Sequence, residues 1–226
     1  LDFINFGVRM TIQNYKGIWL PDREEYLKQD IDVSPMFAGK PTIQFKKFAR
    51  AFPEIKNWRH AIDIGANLGI WTRVMARCFE QVSCFEPNPE CHEAFLKNTD
   101  GGDCKIDLYT SALGEERRDV CLNTRLRSTG FTRIDESGDY YVTQETLDSY
   151  GFEQVDFIKI DVEGWEHNVI KGAIKTINKY KPTIIIEQKP NNAELHGLKQ
   201  FGARNLLQKM GMRVAAEMAG DFIMVW

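Results

Sequence analysis

The stretch Ala61-Ile62-Asp63-Ile64-Gly65-Ala66-Asn67-Leu68-Gly69-Ile70 decides how this chain is read. A short apolar run carrying one acid passes into a glycine turn and then a helical pattern, the order expected where a buried parallel strand leaves a sheet beneath a nucleotide pocket. Gly65 and Gly69 permit close backbone approach where a side chain would collide with a ligand. Seventeen residues past Gly69, Glu86 closes a second such run, Gln81-Val82-Ser83-Cys84-Phe85-Glu86, followed by Pro87-Asn88-Pro89. A carboxylate there can accept both hydroxyls of a ribose.

The glycines are spaced Gly-x-x-x-Gly, out of register with the Gly-x-Gly-x-x-Gly turn that admits a pyrophosphate. No Lys or Arg lies between Asp63 and Thr72, although a helix N-terminus binds phosphate unaided. Asp63 would sit poorly beside two phosphates. It would sit well beside a cation, such as the sulfonium and ammonium of S-adenosylmethionine; the other reading is a loop or helix-cap acid.

A chain of 226 residues suits one α/β domain with an extension, or at most two small domains. The net charge of -3 gives no global attraction to nucleic acid or to an anionic membrane. No apolar run approaches membrane-spanning length and no signal-type segment is present, so a cytosolic location is expected. Cys78, Cys84, Cys91, Cys104 and Cys121 form no Cys-x-x-Cys pair and read as reduced, buried thiols.

Residues 1–57 have interrupted apolar patches, several prolines and two expected helices at 23–29 and 42–51, and read as an N-terminal extension or substrate cap. Residues 58–226 form the main domain. Expected strands at 60–64, 82–86 and 105–109 alternate with helices, one reaching Cys78 and one spanning 90–98, which implies a parallel sheet with ligands at the C-terminal strand ends. Residues 115–150 break this rhythm with short strands near 119–124 and 140–143, as an overhanging segment would. A strand at 155–161, a helix at 165–178, a strand at 183–187 and a helix at 198–210 follow. The chain closes in an antiparallel hairpin of 212–218 and 222–226.

The second informative block is Asp156-Phe157-Ile158-Lys159-Ile160-Asp161-Val162-Glu163-Gly164-Trp165-Glu166. In a strand Lys159 and Asp161 share a face, and Glu163 joins them if the extended geometry persists. Charges on a strand buried on both faces cost several kcal/mol per unpaired ion, so they need partners or a purpose. A structural salt bridge of Lys159 with Asp161 or Glu187 is one reading and an active site is the other.

Together, Asp-Ile-Gly-Ala-Asn-Leu-Gly, Phe-Glu-Pro-Asn-Pro, Ser-Ala-Leu-Gly, Ile-Lys-Ile-Asp-Val-Glu-Gly-Trp-Glu and Val169-Ile170-Lys171-Gly172-Ala173 resemble the FkbM family of S-adenosylmethionine-dependent methyltransferases over residues 60 to 190. The resemblance implies a Rossmann-like class I methyltransferase fold: a seven-stranded, mostly parallel sheet with a C-terminal antiparallel hairpin. It implies methylation of a hydroxyl on a sugar, glycan or related small molecule. By motif, Asp63, Gly65, Ala66, Asn67 and Gly69 would surround the methionine part of the cofactor and Glu86 the ribose, with Pro87 beside it. Asn88, Ser111 and Ala112 would lie near the adenine, and Asp161 would face the transferring methyl. Residues 1–57 and 115–150 match loosely and would set the acceptor.

Methyl transfer to oxygen needs in-line alignment and removal of the hydroxyl proton. Asp161 is the candidate general base, with Lys159 and Glu163 beside it. A cation that acidifies the hydroxyl could be Lys159, or a divalent metal such as Mg held by Asp161, Glu163, Glu187 or His167. Glu163 and His167, four apart, also fit an exposed helix pair. His60, His92 and His196 form no constellation. Phe3, Phe6, Tyr15, Trp19, Tyr26 and Phe37 serve core packing or stack on a sugar. Arg117, Arg118, Arg125, Arg127 and Arg133 either solvate a surface or receive an anionic acceptor. The rivals are an NAD-dependent oxidoreductase and a nonenzymatic nucleotide-binding module; an RNA or protein acceptor is a variant of the methyltransferase reading.

Overall fold

A computed structural model describes residues 11–37 and 40–226. Its centre is a sheet of β1 (His60–Ile64), β2 (Gln81–Phe85), β3 (Lys105–Tyr109), β4 (Phe157–Ile160), β5 (Thr183–Glu187), β6 (Arg213–Met218) and β7 (Asp221–Val225). The spatial order is β6-β7-β5-β4-β1-β2-β3. β3, β2, β1, β4 and β5 run parallel, and β7 lies antiparallel to both β5 and β6. This is the Rossmann-like α/β architecture expected of a class I methyltransferase.

β1, β4 and β5 are buried at every position, which is why they read as apolar runs without alternation. Successive side chains feed two cores. Ile62, Ile158 and Ile184 pack with Val169, Ile170 and Leu207 on one face, while Ala61, Phe157 and Ile185 pack with Phe48, Trp71 and Phe95 on the other. The sequence order reverses between β1 and β4, which makes their C-terminal ends the topological switch point where folds of this kind hold ligands.

The expected helix at 165–178 is two helices, Glu166–Lys171 and Ile174–Tyr180. At the break, Gly172 packs so closely on the Gly114 carbonyl that any Cβ there would collide with it. The helix expected to reach Cys78 spans only Ile70–Met75, and the one expected at 198–210 spans Gly202–Lys209. The N-terminal helices are Tyr26–Val33 and Phe45–Ala51. Ile18, Leu20, Ile31 and Ile43 pack on Leu68, Ile70 and Ala94, so this segment shares a core with the main sheet's helices. The strands Arg118–Asn123 and Tyr140–Glu145 pair antiparallel in a separate four-stranded sheet. Phe3, Phe6 and the Phe37 side chain lie outside the described residues. Among those described, no helix is long and apolar enough to cross a membrane.

Candidate active site

A cavity of about 410 Å³ opens at the C-terminal ends of β1, β2, β4 and β5, within the size range of small-molecule sites. Gly65, Ala66, Asn67, Glu86, Pro87, Ser111, Ala112, Lys159, Asp161 and Glu163 line it. Asp63, Gly69 and Asn88 do not, and each has a different task.

Gly65 has φ +76°, and a Cβ there would strike the Asp161 carbonyl. The glycine therefore brings the loop after β1 against the loop after β4, with protein backbone in the direction a Cβ would take. Gly69 faces Phe95 and Thr99 and seats helix Ile70–Met75 against helix Pro89–Thr99. Asn88 caps the latter helix by accepting the Glu90 amide at 3.0 Å, and its amide group donates to Thr132 at 2.9 Å. The glycine loop is pinned as the Gly65 and Ala66 amides both donate to the Phe85 carbonyl at 3.0 Å.

Glu86 stands just beyond the end of β2 in the cavity wall. It accepts the Asn67 amide at 2.7 Å and the Asn88 amide at 2.8 Å. Burial pushes its carboxyl up to about 7, against the lowering effect of those two amides. Ser111 shares a 2.6 Å hydrogen bond with the Tyr150 hydroxyl.

Asp63 is wholly buried behind the cavity, where it accepts the Thr72 hydroxyl at 2.7 Å and lies 3.2 Å from the Lys159 ammonium. Its expected contact with a ligand cation is thereby corrected: Lys159 is the cation it meets. Lys159 also donates to the Gly65 carbonyl at 2.6 Å and lies 4.0 Å from Asp161. Burial disfavours its charge, but Asp63 and Asp161 outweigh that and raise its pKa. It is an anchor holding the glycine loop, Asp63 and Asp161 together.

Beyond Lys159 lies a carboxylate cluster. Burial would raise Asp161, yet the Lys159 charge holds it below the usual range. Its Oδ1 is buried with no hydrogen-bond partner. Oxygens of Asp161, Glu163 and Glu187 lie within 4.8 Å of one another. The strand ends at Ile160 and Glu163 has φ +51°, so the extended geometry does not persist; the residue still reaches the cavity. A non-glycine residue in this backbone region stores strain of the kind found at functional sites. Its carboxylate accepts Asn192 at 2.7 Å. Burial, then the Asp161 charge, pushes Glu163 up to about 7 and Glu187 up to about 9.

Lys189, unread in the sequence, lies 2.7 Å from Glu187 and 3.6 Å from Glu163. These acids raise its pKa against the opposing effect of burial. Lys189 thus pairs with two of the three acids of this cluster. His167 does not join the proposed ligand set, for it is outside the cavity lining and packs against Gly202. Lys189 lies two residues beyond Glu187, so strand alternation could have put it on the same side. The Lys47–Asp221 pair at 2.5 Å was legible only once β7 was known to place Asp221 opposite Glu187.

The N-terminal segment supplies Glu24, Tyr26 and Lys47 to the cavity wall. Glu24, 1% exposed, accepts the Ser128 hydroxyl at 2.9 Å and the Thr129 amide at 2.8 Å. Arg23 pairs with Glu90 and donates to the Thr124 carbonyl at 2.9 Å. Tyr26, alone among the described aromatics singled out before residue 37, lines the cavity, 5.4 Å from the Phe131 ring. Of the five arginines, only Arg133 lines it. Arg117 and Arg125 pair with Glu145 and Asp139 while staying 78% and 83% exposed, and Arg118 and Arg127 lie over Trp165 and Phe131. His60, His92 and His196 bind separate partners, Ser83, the Glu86 carbonyl and the Glu163 carbonyl.

The family model described as methyltransferase FkbM domain matches residues 63–214, more than half of the chain. Among solved structures, methyltransferase FkbM from Methylobacillus flagellatus is similar at 19% identity and TM-score 0.50, over 74% of this chain and 43% of that one. The present chain thus spans less than half the length of that protein. An O-methyltransferase from Bacillus cereus, solved with SAH, is 15% identical with TM-score 0.50, over 88% of this chain and 84% of that one. An rRNA methylase from Streptococcus thermophilus is 13% identical with TM-score 0.47, over 84% and 96%. At such identities the likeness is one of fold. No curated protein matches the sequence.

Proposed function

This chain belongs to the FkbM methyltransferase family, and we propose that it transfers the methyl group of S-adenosylmethionine to a hydroxyl of a sugar, glycan or related small acceptor. The observation that carries this reading is Asp161: an ionised carboxylate with an unpartnered buried oxygen, facing a cavity that Glu86, just beyond β2, also lines. An orphaned carboxylate oxygen is costly unless a cation or donor meets it. It fits a cationic methyl donor and a hydroxyl acceptor, and Glu86 fits a ribose. The bound cofactor supplies a methyl group on a positively charged sulfur.

The chain's own residues then do three things. Asn67, Gly65 and Glu86 shape the cofactor half of the crevice. Asp161 and its acid neighbours receive the hydroxyl and its proton. Residues 11–57, through Glu24, and the 128–134 segment exclude water and select the acceptor. The five free cysteines suit the cytosolic setting that belongs to the same proposal.

Mass spectrometry of acceptor pools treated with enzyme and methyl-labelled cofactor tests the reaction class; label on nitrogen, or none in any pool, would remove it. Glu86→Ala should weaken both S-adenosylmethionine and its demethylated product by about tenfold to a hundredfold, the scale of a charge-assisted hydrogen bond. Because Ala also strips the Asn67 and Asn88 amides of their acceptor, Glu86→Gln is the companion variant, and unchanged calorimetric affinity in both would end the ribose assignment. For an anionic acceptor, Arg133→Gln should raise the Michaelis constant at low salt and Arg125→Gln should not. Equal effects would place acceptor recognition elsewhere.

A further inference from the structure

The buried Thr129 hydroxyl lies 3.0 Å from a Glu24 carboxylate oxygen and 3.0 Å from the Asn67 side-chain carbonyl. A hydroxyl carries one hydrogen and both of these oxygens accept, so they compete for a single donor. Glu24 has three further donors: the Ser128 hydroxyl at 2.9 Å, the Thr129 amide at 2.8 Å and the Leu27 amide at 3.2 Å. Asn67 Oδ1 has, among the described residues, only the Cys91 thiol at 3.6 Å, a weak donor. The competitors belong to different parts of the site. Asn67 sits in the glycine loop with φ +48°, its backbone amide held by Glu86. Glu24 precedes Tyr26 by two residues, and Thr129 precedes Phe131 by two. The grip of Glu24 on 128–129 thus brings together the Tyr26 and Phe131 rings, which line the cavity with centroids 5.4 Å apart. A second tie between the same parts is fixed. The Asn98 amide group donates to the Leu68 and Trp19 carbonyls at 2.8 and 2.9 Å, and its oxygen accepts the Trp19 amide at 2.7 Å, with no partner in competition.

Resting on the methyltransferase reading above, we infer that Thr129 is a positioning residue that couples the cofactor half of the cavity to the Tyr26–Phe131 wall, against which the acceptor lies. In the free protein its hydroxyl divides its hydrogen between Asn67 and Glu24. A cofactor that gives Asn67 Oδ1 another donor releases the hydroxyl to Glu24, which then holds 128–129, and with them the wall, more firmly. A bond to a buried carboxylate is stronger than one between neutral groups, so the second arrangement is the tighter of the two. The acceptor wall is therefore set after the cofactor arrives, and an ordered sequence of binding, cofactor first, follows from one shared hydrogen. Linkage makes the effect reciprocal: an occupied wall favours the same arrangement at Asn67 and tightens the hold on the cofactor.

The test is amide hydrogen–deuterium exchange with and without saturating S-adenosylhomocysteine, which needs no acceptor. In the wild type the ligand should slow exchange in residues 65–69 and also in residues 24–33, the latter by about tenfold, within the usual range of coupling between sites. Thr129→Val removes the hydroxyl and keeps the shape, while Ser128 and two backbone amides still hold Glu24. In that variant the slowing at 65–69 should remain and the slowing at 24–33 should be lost, and Thr129→Ser should restore it. Equal slowing at 24–33 in the wild type and Thr129→Val would mean that the ligand reaches the wall directly and overturns the coupling, as does a wild type that binds the ligand with no slowing at 24–33. Failure of the wild type to bind S-adenosylmethionine or S-adenosylhomocysteine overturns the methyltransferase reading instead. Should Thr129→Val not fold, Asn67→Ala breaks the link from its other end: loss of the slowing at 24–33 at saturating ligand supports the coupling, and its persistence sinks it.

Discussion

Lys159→Met should destabilise the protein by about 3 to 5 kcal/mol, the usual cost of stranding a buried charge by removing its partner. Lys159 is 3% exposed and Asp63 is wholly buried. Without the ammonium, Asp63 keeps only the Thr72 hydroxyl, and the Gly65 carbonyl loses its 2.6 Å donor. Against a total stability of about 5 to 15 kcal/mol, this is about a fifth or more. A melting temperature lower by about 10 °C is the expected reading for a chain of this size. Thr72→Val, which removes a neutral donor, should cost less. If Lys159→Met fails to fold, Asp63→Asn with Lys159→Met recovers part of the stability, because neither charge is then stranded. A single variant within 1 kcal/mol of wild type would show that Asp63 finds another partner, and the anchor would be wrong.

The contrast between β1 and Asp63 explains what the sequence could disclose. β1, β4 and β5 were legible because strands buried on both faces must be apolar throughout, and observed and expected bounds for β1 and β5 agree. Asp63 was visible as an anomaly in such a strand, but a charge in a buried run says only that a partner exists. Lys159 lies 96 positions later and meets it because β1 and β4 are neighbours, with Asp63 opposite Lys159 in register. Gly65 was likewise recognised as a site of close approach, while the approaching atom, the Asp161 carbonyl, belongs to the same pairing. Glu24 gave no signal, since its partners Ser128 and Thr129 sit in an irregular loop over a hundred residues away. Asp221 became meaningful only through the pairing of β7 with β5. Local pattern sets each element; the site is made by contacts between elements.

Asp161→Asn should lower turnover by about 10²-fold or more, the scale on which general-base function is lost, while leaving cofactor affinity nearly unchanged. Asn keeps the shape and removes the charge. In the free wild type, near neutral pH, Asp161 is ionised and Glu187 protonated, so the pair carries one negative charge. Removing the Asp161 charge takes away one of the causes that raise Glu187, while burial, the larger cause, remains. Lost affinity with turnover intact would make Asp161 a cofactor holder, and unchanged turnover with an identified acceptor would leave it as structure alone. Measured beside Lys159→Met, the variant also separates chemistry from folding, because Asp161→Asn leaves the Lys159–Asp63 pair in place and should melt close to the wild type.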